Sequence, residues 1–375
     1  MRHGQSAAAP GEGGRGDDAL TPTDPELALL IACCRWPPST QGAAVVQASA
    51  AHVDWERFVR LARRHRVEGL AFRGLRDAGV SPPRDLVVDA RTVARKNLLL
   101  VAELLRLDAQ FRAAGIDLIF VKGATLAKLA YGDPGVKSGI DIDILVSHGA
   151  VEVAAALLEV AGYALTMPPA GTDTGKIIRT WHAHAKESVW RHIESGTMLD
   201  LHTRLSDSDS LIPGIGIGSP RQEVEVAPGR SVPTLARDEL FAYLCVHGAS
   251  SAWFRLKWLA DVAAFLAPAP TVEVDRLYAV SQALGAGRAA DQALLLASDL
   301  FGIPLSASLS RTLRGRRASR YLAAAARELL AGEREVTARR FGTLQIHLSQ
   351  LLLGRGLRFK LGEAKRQLLG SLRAR

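Results

Sequence analysis

The stretch "GIDIDILV", residues 139 to 146, constrains this chain more than any other. Its apolar residues alternate with period two, so as a strand it turns Ile140, Ile142 and Ile144 to one side and Asp141 and Asp143 together to the other. Two carboxylates on one face repel unless a cation, basic groups or a shared proton offsets them. Taken alone, such a strand is either a solvated face or an acidic site. Upstream, "IDLIFVKGATLAKLAYG" reads as a short strand, a turn at Lys122 and Gly123, and a short helix. At a strand-to-helix turn, free backbone N–H groups and the helix dipole favour a phosphate, Gly permits close approach and Lys adds positive charge. Downstream, "TMLDLHTRL" puts Asp200 and His202 on one side of a strand and Leu199 and Leu201 on the other. If that strand pairs near the first, three carboxylates converge. Such a set can hold two hard divalent cations ~3.5–4 Å apart and clamp a polyphosphate.

Helical spacing fills 25–115, with Asp24 and Asp54 as N-terminal caps. A β-rich middle spans 116–206, a Gly/Pro-rich connection 207–233, and a second helical region 234–375. The expected class is therefore α+β, a small mixed sheet flanked by N-terminal and C-terminal helical regions. Residues 1–24 read as a disordered leader without the hydrophobic core of a signal peptide, and no apolar run reaches the ~18 residues of a membrane span. A cytoplasmic location is expected. Cys33 and Cys34 are vicinal, Cys245 stands apart, and no CxxC occurs, so packing roles are expected rather than a disulfide framework or structural zinc. The net charge of +9 is unevenly placed: residues 311–375 carry 16 Lys+Arg against 4 Asp+Glu, a net of +12, and residues 1–310 carry 31 against 34, a net of −3.

The pattern "VKG…Y.DPG.K…DIDILV", followed by "LDLH" and later by "LCVHGASSAWFRLKWLADV", resembles a bacterial nucleotidyltransferase family of the polymerase-beta-like superfamily. The resemblance covers about 25 to 300. It implies that Asp141, Asp143 and Asp200 are catalytic and bind magnesium (or manganese), and that Lys122 and Gly123 form the turn holding the triphosphate of an NTP such as ATP. The superfamily usually has Gly-Ser or Gly-Gly at that turn, and related sequences usually carry Arg in place of Lys137. Lys137 is read either as a neutraliser of phosphate charge or as a solvated lysine. The segment from "LCVHG" onward is implied to cover the cleft, with His247 beside it, Trp253 stacking on a base and Lys257 or Arg255 meeting phosphates. Spacing alone makes Lys257 and Asp261 an i, i+4 surface pair.

In "WHAHAKESVW", His182 and His184 alternate as on a strand. They either ligate zinc or iron, border the cleft and contact substrate, or are satisfied polar groups. His202 is expected beside Asp200, orienting that carboxylate or serving structure alone. The functional expectation is magnesium-dependent transfer of a nucleoside monophosphate from an NTP to a hydroxyl or phosphate, releasing pyrophosphate. A phosphotransferase or a catalytically silent NTP- or RNA-binding module is the alternative. The acceptor is left open among a peptide, a small molecule, a glycolipid precursor, RNA and protein. The basic tail could form an amphipathic helix meeting an anionic surface.

Overall fold

The computed structural model of the protein describes residues 24–338 and 342–373, so the leader, apart from Asp24, lies outside the described residues. The two expected caps form: Asp24 accepts from the Leu27 amide and Asp54 from the Glu56 and Arg57 amides. The N-terminal layer comprises α1 (Pro25–Cys33), α2 (Thr40–Ser49), α3 (Trp55–His65), α4 (Glu68–Asp77) and the long α5 (Arg84–Ala113). The chain leaves α5 at Gly115, whose φ of 68° a residue with a Cβ adopts only with strain.

The middle of the chain is a five-stranded mixed sheet, and the fold is α+β. In chain order it runs β1 (Leu118–Phe120), α6 (Ala124–Tyr131), β2 (Asp141–Val146), α7 (Val151–Val160), β3 (Tyr163–Met167), α8 (Thr174–His182), β4 (Glu187–His192) and β5 (Met198–His202). The spatial order is β1-β2-β5-β4-β3, with β2 and β5 parallel and the other neighbours antiparallel. Alternation sorts the two faces. Ile142, Ile144, Val146, Trp190, Leu199 and Leu201 pack against Leu104, Leu107 and Phe111 of α5 and Ala154 and Leu158 of α7. The other face carries the acidic residues.

The stretch expected to be a plain connection differs. It contains a hairpin of β6 (Arg221–Ala227) and β7 (Arg230–Leu235), whose Val224, Val226 and Val232 are buried in the sheet core. The alternation of "VEVA" is real, but the Gly and Pro residues just before it dominate the composition. The C-terminal helices are α9 (Arg237–Ser250), α10 (Leu256–Leu266), α11 (Thr271–Ala283), α12 (Arg288–Phe301), α13 (Ala307–Gly315), α14 (Arg317–Ala331), α15 (Leu344–Leu353) and α16 (Gly356–Arg373). All three cysteines are buried and free, as packing residues are. No helix among the described residues is long and apolar enough to cross a membrane.

Two glycines let α4 approach its neighbours at backbone distance. A Cβ on Gly69 would lie 2.4 Å from the Val136 carbonyl oxygen, and one on Gly74 would lie 2.4 Å from that of Cys33. Val136 belongs to the loop that delivers Lys137 to the site, so Gly69 sets where that loop rests. A helical Gly→Ala change ordinarily stabilises by ~0.5–1 kcal/mol. Gly69→Ala and Gly74→Ala should instead each cost ~1–3 kcal/mol in denaturant unfolding, because the backbone must shift. Gly362→Ala, with nothing within 4 Å, serves as the control and should not destabilise. Wild-type stability in Gly69→Ala contradicts the close approach.

Candidate functional site

Strand register assembles the site. Asp143 on β2 lies opposite Asp200 on β5, and His202 on β5 lies opposite Glu187 on β4. Paired residues share a sheet face, so Asp141, Asp143, Asp200, His202 and Glu187 all project from one side. Asp143, Asp200 and His202 each offer a ligand atom within 4.8 Å of the others. Oxygen donors dominate the set, as a hard divalent cation requires.

The carboxylates find a counter-charge in the turn upstream. The Lys122 ammonium is in direct contact with Asp143 and 3.7 Å from Asp141. It gets there because β1 ends at Phe120 and Gly123, with φ of 74°, turns the chain into α6. Burial alone would raise the Asp143 carboxyl, but Lys122 and His202 outweigh it and hold that group well below the usual carboxylate range. Among the described residues no ion pair forms at Asp200. Burial first, then the charges of Asp143, Glu187 and Asp141, push its carboxyl up to about 7, and His202 lowers it only weakly against them. The cluster thus holds more negative charge than Lys122 offsets.

His202 faces Asp143 rather than orienting Asp200: its Nε2 lies 3.1 Å from Asp143 Oδ1. Its Nδ1 is 3.3 Å from Glu187 Oε2, near enough for attraction but off the hydrogen-bond line. Glu187 escaped the sequence reading because its register opposite His202 depends on how β4 meets β5. Burial would raise its carboxyl too, but Lys186 and His202 outweigh burial and lower it.

The second wall is helical. Lys122, Gly123, Lys137 and Asp141 line a cleft with His247 of α9 and Lys257 and Trp258 of α10. Lys257 is pushed down to about 7, by burial first and then by the charges of Lys137 and Lys122. It does not pair with Asp261. That carboxylate is buried, 3.3 Å from Lys137 Nζ and 3.0 Å from the Tyr131 hydroxyl, so Lys137 is an interior cation rather than a solvated one. Asn97 of α5 fixes the loop by donating to the Gly135 and Lys137 carbonyls, at 3.1 and 2.6 Å, and accepting from the Gly139 amide. The sequence pointed to Trp258 only as one residue of its helical stretch, without a role, and gave no sign of Asn97.

Three expectations fail on burial or secondary structure. Trp253 is fully buried with its ring against Gly248, so it has no face open to a base; Trp258 reaches the cleft instead. Arg255 is turned away, donating to the Arg64 carbonyl and pairing with Glu335. His182 and His184 do not share a strand face, since His182 ends α8 and His184 lies exposed in the turn after it. The apolar spacing of Ile177, Ile178 and Trp181 makes that segment helical.

A model of a family described as an uncharacterised nucleotidyltransferase matches residues 51–302, about two-thirds of the chain. The chain belongs to that family. No curated protein matches it. The matched stretch runs from α3 through α12, taking in the sheet, the Lys122 turn, the acidic face and the α9–α10 wall. It stops before the basic tail.

His182 yields a pH prediction. Its Nδ1 lies 3.0 Å from Thr203 Oγ1 and its Nε2 3.0 Å from Ser188 Oγ. Burial, then the charges of His202 and His148, lower it to about 4 from an ordinary 6.5. The folded imidazole is therefore neutral where the unfolded one gains a proton. Its contribution to stability is whole above pH 6.5 and is lost as pH falls toward 4. The stability lost by the protein between those two pH values should be ~1–3 kcal/mol smaller in His182→Gln. An equal loss in both proteins contradicts this.

Proposed function

We propose that this nucleotidyltransferase transfers a nucleoside monophosphate from an NTP to a hydroxyl or phosphate of an acceptor, with release of pyrophosphate. The observation that carries the reading is the pairing of Asp143 with Asp200 on adjacent parallel strands, with the Lys122–Gly123 turn directly against them. Asp141, Asp143 and Asp200 would hold magnesium or manganese. When bound, the metal offsets charge on the polyphosphate and on the attacking oxygen.

The chain's own residues supply the rest. Lys122, Gly123 and the first turn of α6 bind phosphate oxygens, and Lys257 and His247 meet them from across the cleft. Trp258 offers the base an aromatic contact. Lys137, held by Asp261, keeps the cleft positive without leaving the interior. The acceptor oxygen attacks the α-phosphorus, the bond to the bridging oxygen breaks, and its electron pair leaves with pyrophosphate. We assign the acceptor's proton to Asp200, because Asp143 is tied to Lys122 and His202 whereas Asp200 is ion-paired with neither. His202, with Glu187 beside its other ring nitrogen, contacts Asp143 and helps hold it in place. Positioning and charge neutralisation are what this transfer chiefly requires.

Incubation with magnesium and each NTP in turn should yield pyrophosphate in the presence of an acceptor. Release of NDP identifies phosphoryl transfer instead, and no turnover with tight NTP binding identifies a silent module. Asp143→Asn and Asp200→Asn should each remove most turnover while the protein stays folded. The double variant should be scarcely slower than either single one, since residues acting as a unit lose activity non-additively. Full activity in Asp143→Asn, or losses that multiply, contradicts the shared metal role.

A further inference from the structure

Past the matched stretch, the chain closes with two helices lying side by side. Gln367 of α16 donates to the His347 carbonyl of α15 at 3.0 Å, and Arg366 donates to Gln350. α16 packs through Phe359 and Glu363, both buried, and Glu363 is paired with Arg366. At 100° per residue, Leu357 and Leu361 fall on the side away from that contact, and they are 70% and 63% exposed. Arg358 and Lys365 border this pair on one side and Lys360 on the other, all three exposed. α15 carries no Lys or Arg but also turns leucines outward. Leu344 and Leu348, 53% and 45% exposed, lie away from buried Ser349 and Leu353.

We propose that α15 and α16 dock on an anionic phospholipid bilayer and lie in its interface. The leucines would sit below the phosphates, and Arg358, Lys360 and Lys365 would meet the lipid headgroups. Charge complementarity selects this occupant: Glu363, the single acidic residue of Gly356–Arg373, is buried and paired, so the charges beside the outward leucines, at Arg358, Lys360 and Lys365, are all positive. RNA would be gripped by the same cations, yet it offers nothing to the outward leucines that those cations bracket. Leucines flanked by Arg and Lys on the exposed face of α16 suit a helix lying in the interface.

Sedimentation of the full chain with phosphatidylcholine vesicles, with and without phosphatidylglycerol, tests this. Binding should require the anionic lipid and weaken as salt rises. A Leu357→Asn, Leu361→Asn double variant should lose affinity about tenfold or more, because apolar contact is removed from surface positions that the fold does not use. A Lys360→Gln, Lys365→Gln double variant should lose about tenfold. Circular dichroism establishes that both variants are folded. Unchanged vesicle binding in the leucine variant overturns the proposal. So does binding of a labelled RNA in place of vesicles, with the lysine variant impaired and the leucine variant not.

Discussion

The ion pair between Lys122 and Asp143 ties together the parts of the protein that have to meet. Lys122 lies in the turn after β1 and Asp143 in the middle of β2, so their contact fixes the turn against the acidic face. Removing one partner of a buried pair typically costs ~3–5 kcal/mol, because the charge left behind has no water to replace it. Asp143 is 3% exposed, and its second oxygen is met by His202. The ammonium therefore does what the alternation of two aspartates requires, by supplying a positive charge where like charges would otherwise repel. It does so incompletely. Asp200 is buried beside Asp143, Glu187 and Asp141 and forms no ion pair among the described residues, and its carboxyl is raised accordingly.

A second layer of pairing holds the opposite side of the cleft. Asp261 draws Lys137 inward, Tyr131 satisfies another bond of that carboxylate, and Asn97 fixes the loop between them. The loop comes close because Gly69 of α4 has no side chain there. Lys122, Lys137 and Lys257 thus enter one cleft from three separate parts of the chain. Lys122 and Lys137 are already paired with carboxylates, whereas Lys257 is lowered by burial and by those two cations, and an anion such as the triphosphate we propose would restore its charge.

Local patterns were legible in the sequence. The period-two runs at 140–146 and 199–202 placed the aspartates on one face of their strands, Asp24 and Asp54 cap helices, and Gly115 and Gly162 follow helix ends. Facts set by tertiary pairing were not. Nothing near Glu187 says that it lies opposite His202, and nothing near Asp261 says that its partner is Lys137, far away in the chain. Local spacing offered Lys257 instead. The exchange of Trp253 for Trp258 has the same origin: aromatic character is visible in sequence, but the strained backbone at Trp253, φ 55°, and the space left by Gly248 turn that ring inward. His182 and His184 misled because two alternating residues fit a strand, whereas the apolar spacing before them fits a helix.

In the function we propose, one buried acidic cluster is balanced in part by Lys122 and in part by a divalent metal. The unfolding temperature of Lys122→Met, measured with a chelator and then with magnesium, tests it most directly. Methionine keeps much of the side chain's length and removes its charge, leaving Asp143 without its counter-ion. The variant should unfold well below wild type in chelator, and magnesium should raise its unfolding temperature by more than it raises that of wild type. A variant as stable as wild type without metal, or one that magnesium leaves unmoved, would contradict the account.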